Sequence, residues 1–247
     1  MKNDTRYFLH SRRQAAIKTA LAGFALLLTS CSIFRGGGGP HAPSLDKAIS
    51  GPHEELTADM ALERLVEGNK RFVSGQAIHP DQSVERRAVL AGGQAPFAIV
   101  LTCSDSRVSP ELYFDQGLGN LFVARNAGNV IDNHILGSLE YAVEHLHVHL
   151  IVVVGHAKCG AVSAALLGNH EPGHIQSVLN SIASGLGGVK DQPGDQLDAA
   201  VRANARRSAE LVERSEPILQ EAVKAGKLRV VSANYDLASG NVEFFPR

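Results

Sequence analysis

The sequence lacks the residues on which several classes of binding protein depend. It contains no Trp, and only 5% of its residues are aromatic, which argues against a surface that stacks carbohydrate or single-stranded nucleic acid. The formal net charge is −1, so the chain has no excess of positive charge to attract a nucleic-acid backbone. We therefore expect no nucleic-acid partner. The hydrophobic share of 44% and the charged share of 20% are ordinary for a globular protein.

Cysteine is also scarce. The 247-residue chain has three cysteines, Cys31, Cys103 and Cys159. An odd number this small excludes a disulfide framework as the basis of the fold. Each cysteine therefore needs its own explanation.

The sequence near the N-terminus has an apolar stretch, residues 19–30, that is too short to span a membrane. It is about a dozen residues long, whereas a membrane-spanning helix needs roughly 20. A positive segment with Arg12 and Arg13 precedes it, and this order is typical of a secretory signal. The arginine pair resembles a twin-arginine export signal. The sequence thus predicts an exported protein.

The apolar stretch ends in residues 28–31, LTSC, which resemble a bacterial lipobox. In that motif the cysteine is acylated and becomes the new N-terminus, so we expect Cys31 to carry a lipid. A plain cleaved signal with an incidental cysteine is the alternative. Residues 1–31 are predicted to be the export signal and residues 32–55 a flexible Gly/Pro-rich linker. The predicted location is the bacterial periplasm or cell envelope, with the lipid as the sole membrane contact.

Residues 56–247 alternate between amphipathic helices and apolar runs. Thr57 and Ser83 are expected to cap two helices, and Tyr141 is expected to face inward from a later one. The other predicted helices cover 133–146, 161–167 and 197–225. Three apolar runs predict strands, the first of them buried on both faces: 97–101, 121–124 and 150–154. Residues 228–232 predict a fourth strand, and residues 242–245 predict an antiparallel edge strand. The predicted fold class is α/β, with a mostly parallel central sheet of about four to five strands flanked by helices.

Two motifs rich in reactive side chains directly follow two of these strands. Residues 103–107, CSDSR, follow the strand that starts at Phe97. Residues 155–160, GHAKCG, follow the strand that starts at Leu150. Because sites assemble at the carboxyl ends of parallel strands, we expect the two motifs to lie close together.

The side chains of these motifs suit a metal ion. Cys103 and Asp105 are two residues apart, so in extended chain they point the same way. His156 and Cys159 are three residues apart and would share a face across the start of a helix. Two thiolates, an imidazole and a carboxylate suit tetrahedral zinc, and sulfur argues against magnesium or calcium. A disulfide between the two cysteines is the alternative in an oxidising compartment.

The two motifs resemble the signatures of the β-class carbonic anhydrases. The first motif continues with VSP and the second with AV, as in that family. Residues 122–128, FVARNAG, and residues 137–141, GSLEY, are similar to two further stretches of it. The resemblance extends from about Leu56 to the C-terminus, and it implies that residues 56–247 form a β-carbonic anhydrase catalytic domain.

The resemblance implies an enzyme that reversibly hydrates carbon dioxide to bicarbonate and a proton. One zinc ion per subunit would be bound by Cys103, His156 and Cys159, with hydroxide on the zinc as the nucleophile. Asp105 would orient that hydroxide and Arg107 would hold Asp105. In a closed state of the site, Asp105 would become the fourth zinc ligand.

The resemblance also implies a substrate pocket and an oligomer. Gln94 matches a residue that hydrogen-bonds bicarbonate, and Phe122, Ala127 and Tyr141 match a small apolar pocket. Plain core packing is the alternative for Phe122 and Tyr141. Because the family works as dimers or larger assemblies, we expect a homodimer or a higher homo-oligomer.

Two other functions stay open at the level of sequence. The same fold and zinc site could act on carbonyl sulfide or carbon disulfide. Alternatively, the chain could be a zinc- or bicarbonate-binding lipoprotein without turnover. Asp105 and Arg107 argue against the second alternative, because a structural zinc site needs no such pair.

Overall fold

The computed structural model describes residues 56–189 and 193–246. The predicted export signal, with Cys31, and the predicted linker lie outside the described residues. Within these ranges, no helix combines the length and the apolar character needed to cross a bilayer. The helices are α1 Ala58–Val73, α2 Val84–Leu90, α3 Pro110–Tyr113, α4 Asn133–Leu146, α5 Gly160–Leu167, α6 Ile175–Ala183, α7 Gln196–Glu213 and α8 Ile218–Lys224. The strands are β1 Ala98–Cys103, β2 Leu121–Asn126, β3 Leu150–His156, β4 Arg229–Tyr235 and β5 Val242–Phe244, and a 3₁₀ turn covers Ala127–Asn129.

The strands form one sheet in the order β2-β1-β3-β4-β5. The first four strands run parallel and β5 runs antiparallel to β4. Every residue of β1 and β3 is buried, as expected for central parallel strands covered by helices on both faces. The predicted fold class is confirmed.

The apolar strand residues pack alternately above and below the sheet, because successive side chains of a strand point to opposite faces. On one face, Val100 and Val152 pack in a cluster with Leu65 of α1. On the other face, Ile99 and Leu139 belong to a second cluster that includes residues from α4, α7 and α8. The two layers bury the sheet and hold the ends of its strands in fixed positions.

The predicted helix caps are present. The Thr57 hydroxyl accepts a hydrogen bond from the Met60 N–H, and the Ser83 hydroxyl accepts one from the Arg86 N–H. These bonds satisfy amide groups that have no partner within the helix.

Two predictions about the helices are wrong. The helix predicted over 197–225 is two helices, because α7 ends at Glu213 and α8 begins at Ile218, after Pro217. Proline has no N–H to continue the helical hydrogen bonds, and it disfavours helical backbone in the residue before it. Tyr141, predicted to face inward, is 48% exposed in this chain. It lies two residues after the buried Leu139, about 200° around the helix.

Candidate metal centre

The sheet brings three of the predicted ligands together. Cys103 ends β1 and His156 ends β3, and these strands are parallel neighbours with Thr102 opposite Val154. Cys159 follows His156 by three residues and precedes α5. The two cysteine sulfurs and one imidazole nitrogen all lie within 4.8 Å of one another, and all three residues are buried. Strand register has thus joined motifs that are far apart in sequence.

The ring of His156 is oriented for metal binding. Its Nδ1 lies 3.0 Å from the carbonyl oxygen of Ala157, and a carbonyl can only accept, so in the neutral ring the proton belongs on Nδ1. The other nitrogen, Nε2, is buried and has no hydrogen-bond partner among the described residues. A buried nitrogen lone pair without a partner is unfavourable by about 1–3 kcal/mol, and a metal ion would remove that penalty.

The two cysteines are neighbouring thiols, and both are free of disulfide bonds in the structure. The pKa of the Cys103 thiol is lowered by interaction with the neighbouring Cys159 thiol, and the Gly128 N–H donates to Cys103 Sγ at 3.3 Å. The same pairing raises the pKa of the Cys159 thiol. Two neighbouring thiols are harder to ionise together than singly, and a divalent cation bound to both would favour the two thiolates.

The donor set fits zinc. Two thiolates and one imidazole are typical zinc ligands, and three protein ligands are the number found in catalytic zinc sites. The sulfurs also lie in an apolar environment, since both cysteines belong to a buried cluster with Val130, Val162 and Ile182. Electrostatic interactions are stronger in such surroundings than in water.

Asp105 and Arg107 form a bidentate ion pair beside the three ligands. Arg107 Nε donates to Asp105 Oδ1 at 2.9 Å and Nη2 donates to Oδ2 at 2.7 Å. The backbone N–H of Arg107 also donates to Oδ1, at 3.0 Å. These bonds hold the pKa of Asp105 well below its ordinary value and raise that of Arg107. Asp105 Oδ2 is 3.9 Å from His156 Nε2, so the ionised carboxylate faces the cluster while Arg107 holds both its oxygens.

Ala127 is the predicted pocket residue that lies beside the ligands. It precedes Gly128, whose N–H contacts the sulfur of Cys103. Gly128 has a positive φ of 71°, which residues with a side chain rarely adopt, and a Cβ there would lie 2.6 Å from Ile182 Cδ1, so the Ile182 side chain would have to move. The buried Asn204 fixes the turn from the other side by donating to the Gly128 carbonyl at 2.8 Å.

The other predicted pocket residues lie elsewhere in this chain. Phe122 is paired with Ile99, four residues before Cys103 along β1, which corresponds to about 13 Å of strand. The ring of Tyr141 lies 6.4 Å from that of Phe122, centroid to centroid. Gln94 is exposed and precedes the amino end of β1. One chain therefore places these three residues away from its own cysteines.

Arg125 is a site residue that the sequence analysis missed. Its Nε donates to the carbonyl oxygen of Cys103 at 3.0 Å, and its Nη2 donates to that of Asp105 at 2.9 Å. The residue stands within the stretch 122–128 that resembles the family. Only the pairing of β2 with β1 reveals which backbone groups it reaches.

Comparisons with known proteins agree with this geometry. A family model described as carbonic anhydrase matches residues 98–242. The chain is 43% identical over 185 residues to carbonic anhydrase 2 of Mycobacterium tuberculosis, covering 73% of this chain and 89% of that protein. It is 43% identical over 195 residues to a carbonic anhydrase of Mycolicibacterium smegmatis, covering 74% and 91%. Among solved structures, the β-carbonic anhydrase CcaA is similar with a TM-score of 0.62 and 27% identity, covering 75% of this chain and 95% of that one.

Proposed function

The chain belongs to the β-class carbonic anhydrases, and from this we propose how its own residues hydrate carbon dioxide. Cys103, His156 and Cys159 would hold one zinc ion per subunit. When bound, zinc supplies a Lewis acid that lowers the pKa of a water molecule and so provides hydroxide near neutral pH. The observation that carries the proposal is the group of three buried ligand atoms within 4.8 Å, with an ionised carboxylate beside it.

Asp105 would orient the attacking hydroxide. Because its pKa is far below the working pH, Asp105 is ionised and can only accept hydrogen bonds. At Oδ2, the oxygen that faces His156 Nε2 at 3.9 Å, it would accept a hydrogen bond from the hydroxide, which keeps its proton. A hydroxide held in this way would direct a lone pair at the carbon of carbon dioxide.

Arg107 would keep the carboxylate in this position. The two hydrogen bonds from its guanidinium engage one oxygen of Asp105 each. They would restrain Asp105 from becoming a metal ligand, as it would be in the closed state. Val130 and Val162, packed with the cysteines, would give a nonpolar gas an apolar place beside the nucleophile. We therefore favour carbon dioxide and bicarbonate as the substrate and product.

The full chain, purified in detergent, allows a direct test. Metal analysis should give one zinc per subunit, and stopped-flow assays should show hydration of carbon dioxide. Asp105→Ala should retain the zinc and lose activity by about 100-fold, as for removal of other preorganised groups at reacting atoms. Full activity in that variant would remove Asp105 from the mechanism. Zinc binding without turnover in the wild type would favour the non-catalytic lipoprotein, and faster turnover of carbonyl sulfide or carbon disulfide would change the substrate.

We also propose that a second copy of the chain completes the pocket. Leu112, Leu118 and Tyr141 are large apolar side chains that are 56%, 45% and 48% exposed. Leu112 and Leu118 line a groove of about 310 Å³ that also includes Leu121, next to Phe122 on the edge strand β2. Apolar surface of this kind is typical of an interface. In a homodimer or a larger assembly, Phe122 and Tyr141 of one copy would line the substrate pocket of the other copy.

Export and lipid attachment are the remaining part of the proposal, supported by the sequence of residues 1–31 alone. Cells fed an alkyne-labelled fatty acid should incorporate the label into the wild-type protein but not into Cys31→Ala. Changing Arg12 and Arg13 to Lys should retain the protein in the cytoplasm if it uses the twin-arginine route. Labelling of Cys31→Ala equal to that of the wild type would contradict the anchor.

A further inference from the structure

A single guanidinium links the metal-ligand residue to the carboxylate residue. Arg125 Nε donates to the Cys103 carbonyl at 3.0 Å, and Nη2 donates to the Asp105 carbonyl at 2.9 Å. The two carbonyls lie on either side of Ser104, whose N–H donates to the Asn126 carbonyl at 3.0 Å. Residues of β2 therefore hold the backbone of the segment from Cys103 to Asp105 at three points as it leaves β1.

The position of these bonds is informative because the strand pairing stops there. The register between β1 and β2 ends with Cys103 opposite Asn126, so the Asp105 carbonyl has passed the end of the ladder. Arginine suits this place because its planar fork offers several N–H donors in a fixed arrangement and stays charged at any working pH. Lysine offers one compact ammonium group, and it cannot reproduce the same planar pair of contacts.

The bonds determine where the Asp105 carboxylate can point. Arg107 grips the carboxylate itself, but Arg107 is two residues further along the same segment and moves with it. Arg125, on the neighbouring strand, connects that segment to the sheet. Without Arg125, the Asp105–Arg107 pair could stay intact and still shift as a unit relative to the sulfur of Cys103.

We propose that Arg125 is a positioning residue, which fixes Asp105 relative to Cys103 through their two backbone carbonyls. This inference rests on the proposed function of Asp105. Arg125 would act through Asp105, since its two side-chain bonds go to backbone carbonyls. It is an exposed residue on a strand already paired with β1 along six residues, so its removal should leave the sheet folded.

The test compares Arg125→Ala and Arg125→Lys with the wild-type full chain in detergent. Both variants should keep one zinc per subunit and a thermal midpoint close to that of the wild type. We expect kcat/KM for carbon dioxide to fall about 10- to 100-fold in Arg125→Ala, the range typical for groups that support metal-site residues. The kcat/KM of Arg125→Lys should lie between those of the wild type and Arg125→Ala. Arg214→Ala, at an exposed arginine of α7's C-terminal end, is the matched control and should be unchanged.

A double-mutant cycle separates positioning from a general structural effect. If Arg125 acts through Asp105, then Asp105→Ala combined with Arg125→Ala should be no slower than Asp105→Ala alone. Additive losses would overturn the proposal, as would an Arg125→Ala enzyme as fast as the wild type. Loss of zinc or of fold in both Arg125 variants would also overturn it, since the residue would then be structural.

A spectroscopic measurement tests the same inference without turnover. In protein loaded with Co²⁺ in place of zinc, the visible absorption bands report the ligands and geometry of the metal. A shift of the Asp105–Arg107 pair relative to the metal should change this spectrum in Arg125→Ala, whereas the Asp105→Ala spectrum should be the same with or without Arg125. An unchanged Arg125→Ala spectrum would contradict the inference. If the wild type were inactive with carbon dioxide, the proposed function would fail, yet the spectra would still decide whether Arg125 positions Asp105.

Discussion

The two ends of the central strands differ in how complete they are within one chain. At the carboxyl ends of β1 and β3, the ligand atoms of Cys103, His156 and Cys159 lie within 4.8 Å of one another and are buried. Toward the amino ends, Phe122 and Tyr141 lie 6.4 Å apart, and Tyr141 is 48% exposed. At the first end, a single chain supplies all three side chains that could bind a metal. At the second end, the ring of Tyr141 is only half covered by the described residues, among them Phe122 and His145, and in our proposal a second copy of the chain covers the rest.

The largest expected effect comes from removing a ligand at the complete end. In His156→Ala, we expect zinc to fall well below one per subunit and hydration activity to fall well over 100-fold, since even the outer partners of metal ligands contribute about 10–100-fold. Metal analysis and stopped-flow hydration measure the two losses. His149→Ala, which removes a partly buried histidine bonded to the Lys227 carbonyl, is the control. A fully active His156→Ala enzyme would show that this end is not the catalytic centre.

A smaller effect is expected at the end that needs a partner. Tyr141→Ala should keep its zinc, because the ring is not near the ligands of its own chain. It should lower kcat/KM by about 10-fold, in the range for one lost apolar pocket contact, and weaken self-association. Light scattering measures the oligomer and stopped-flow assays measure the rate. Tyr141→Phe, which keeps the ring, should resemble the wild type. A monomeric wild type with full activity would show that the second end needs no partner subunit.

The smallest expected effect concerns the pH dependence of stability at the Asp105–Arg107 pair. The pKa of Asp105 is lower in the folded protein than its ordinary value of about 3.9. The pair therefore stabilises the fold above pH 4, and this contribution is lost progressively as the pH falls toward the folded-state pKa. Arg107→Gln should lower Tm by less than about 4 °C at pH 7, and the difference from the wild type should shrink below pH 4. Melting curves at several pH values measure it. A difference that grew in acid would contradict this assignment.

The parts of the fold that could be predicted are those with an unambiguous local pattern. The buried runs of β1 and β3 are apolar throughout, so they could be identified without tertiary information. The break between α7 and α8 was missed because apolar spacing continues across it, although Pro217 was visible in the sequence. Helix α6, Ile175–Ala183, was also missed. It is nine residues long and has no side-chain hydrogen bond at its N-cap, so it lacks the usual start signal.

Some residues of the candidate site could also be predicted from the sequence, whereas others could not. The sequence alone identified Cys103, Asp105, His156 and Cys159 as possible ligands, because their residue types and spacing suit zinc, and the family resemblance assigned their roles. Those roles stay predictions, as do Arg107 in the mechanism and the pocket formed by Gln94, Phe122, Ala127 and Tyr141. The structure adds that both oxygens of Asp105 are held by Arg107. It also adds Arg125. No sequence pattern predicts its two hydrogen bonds to backbone carbonyls.

By itself, the sequence determined the α/β class and the family and predicted the ligand types, because these follow from short patterns of apolar and reactive residues. Only the tertiary structure decided which groups meet. The distance between the ligand atoms, the orphaned Nε2 of His156, the reach of Arg125 and the separation of Phe122 from Cys103 all depend on how β1 pairs with β2 and β3. Strand pairing joins residues that are distant in the chain, and a local pattern carries no information about that register.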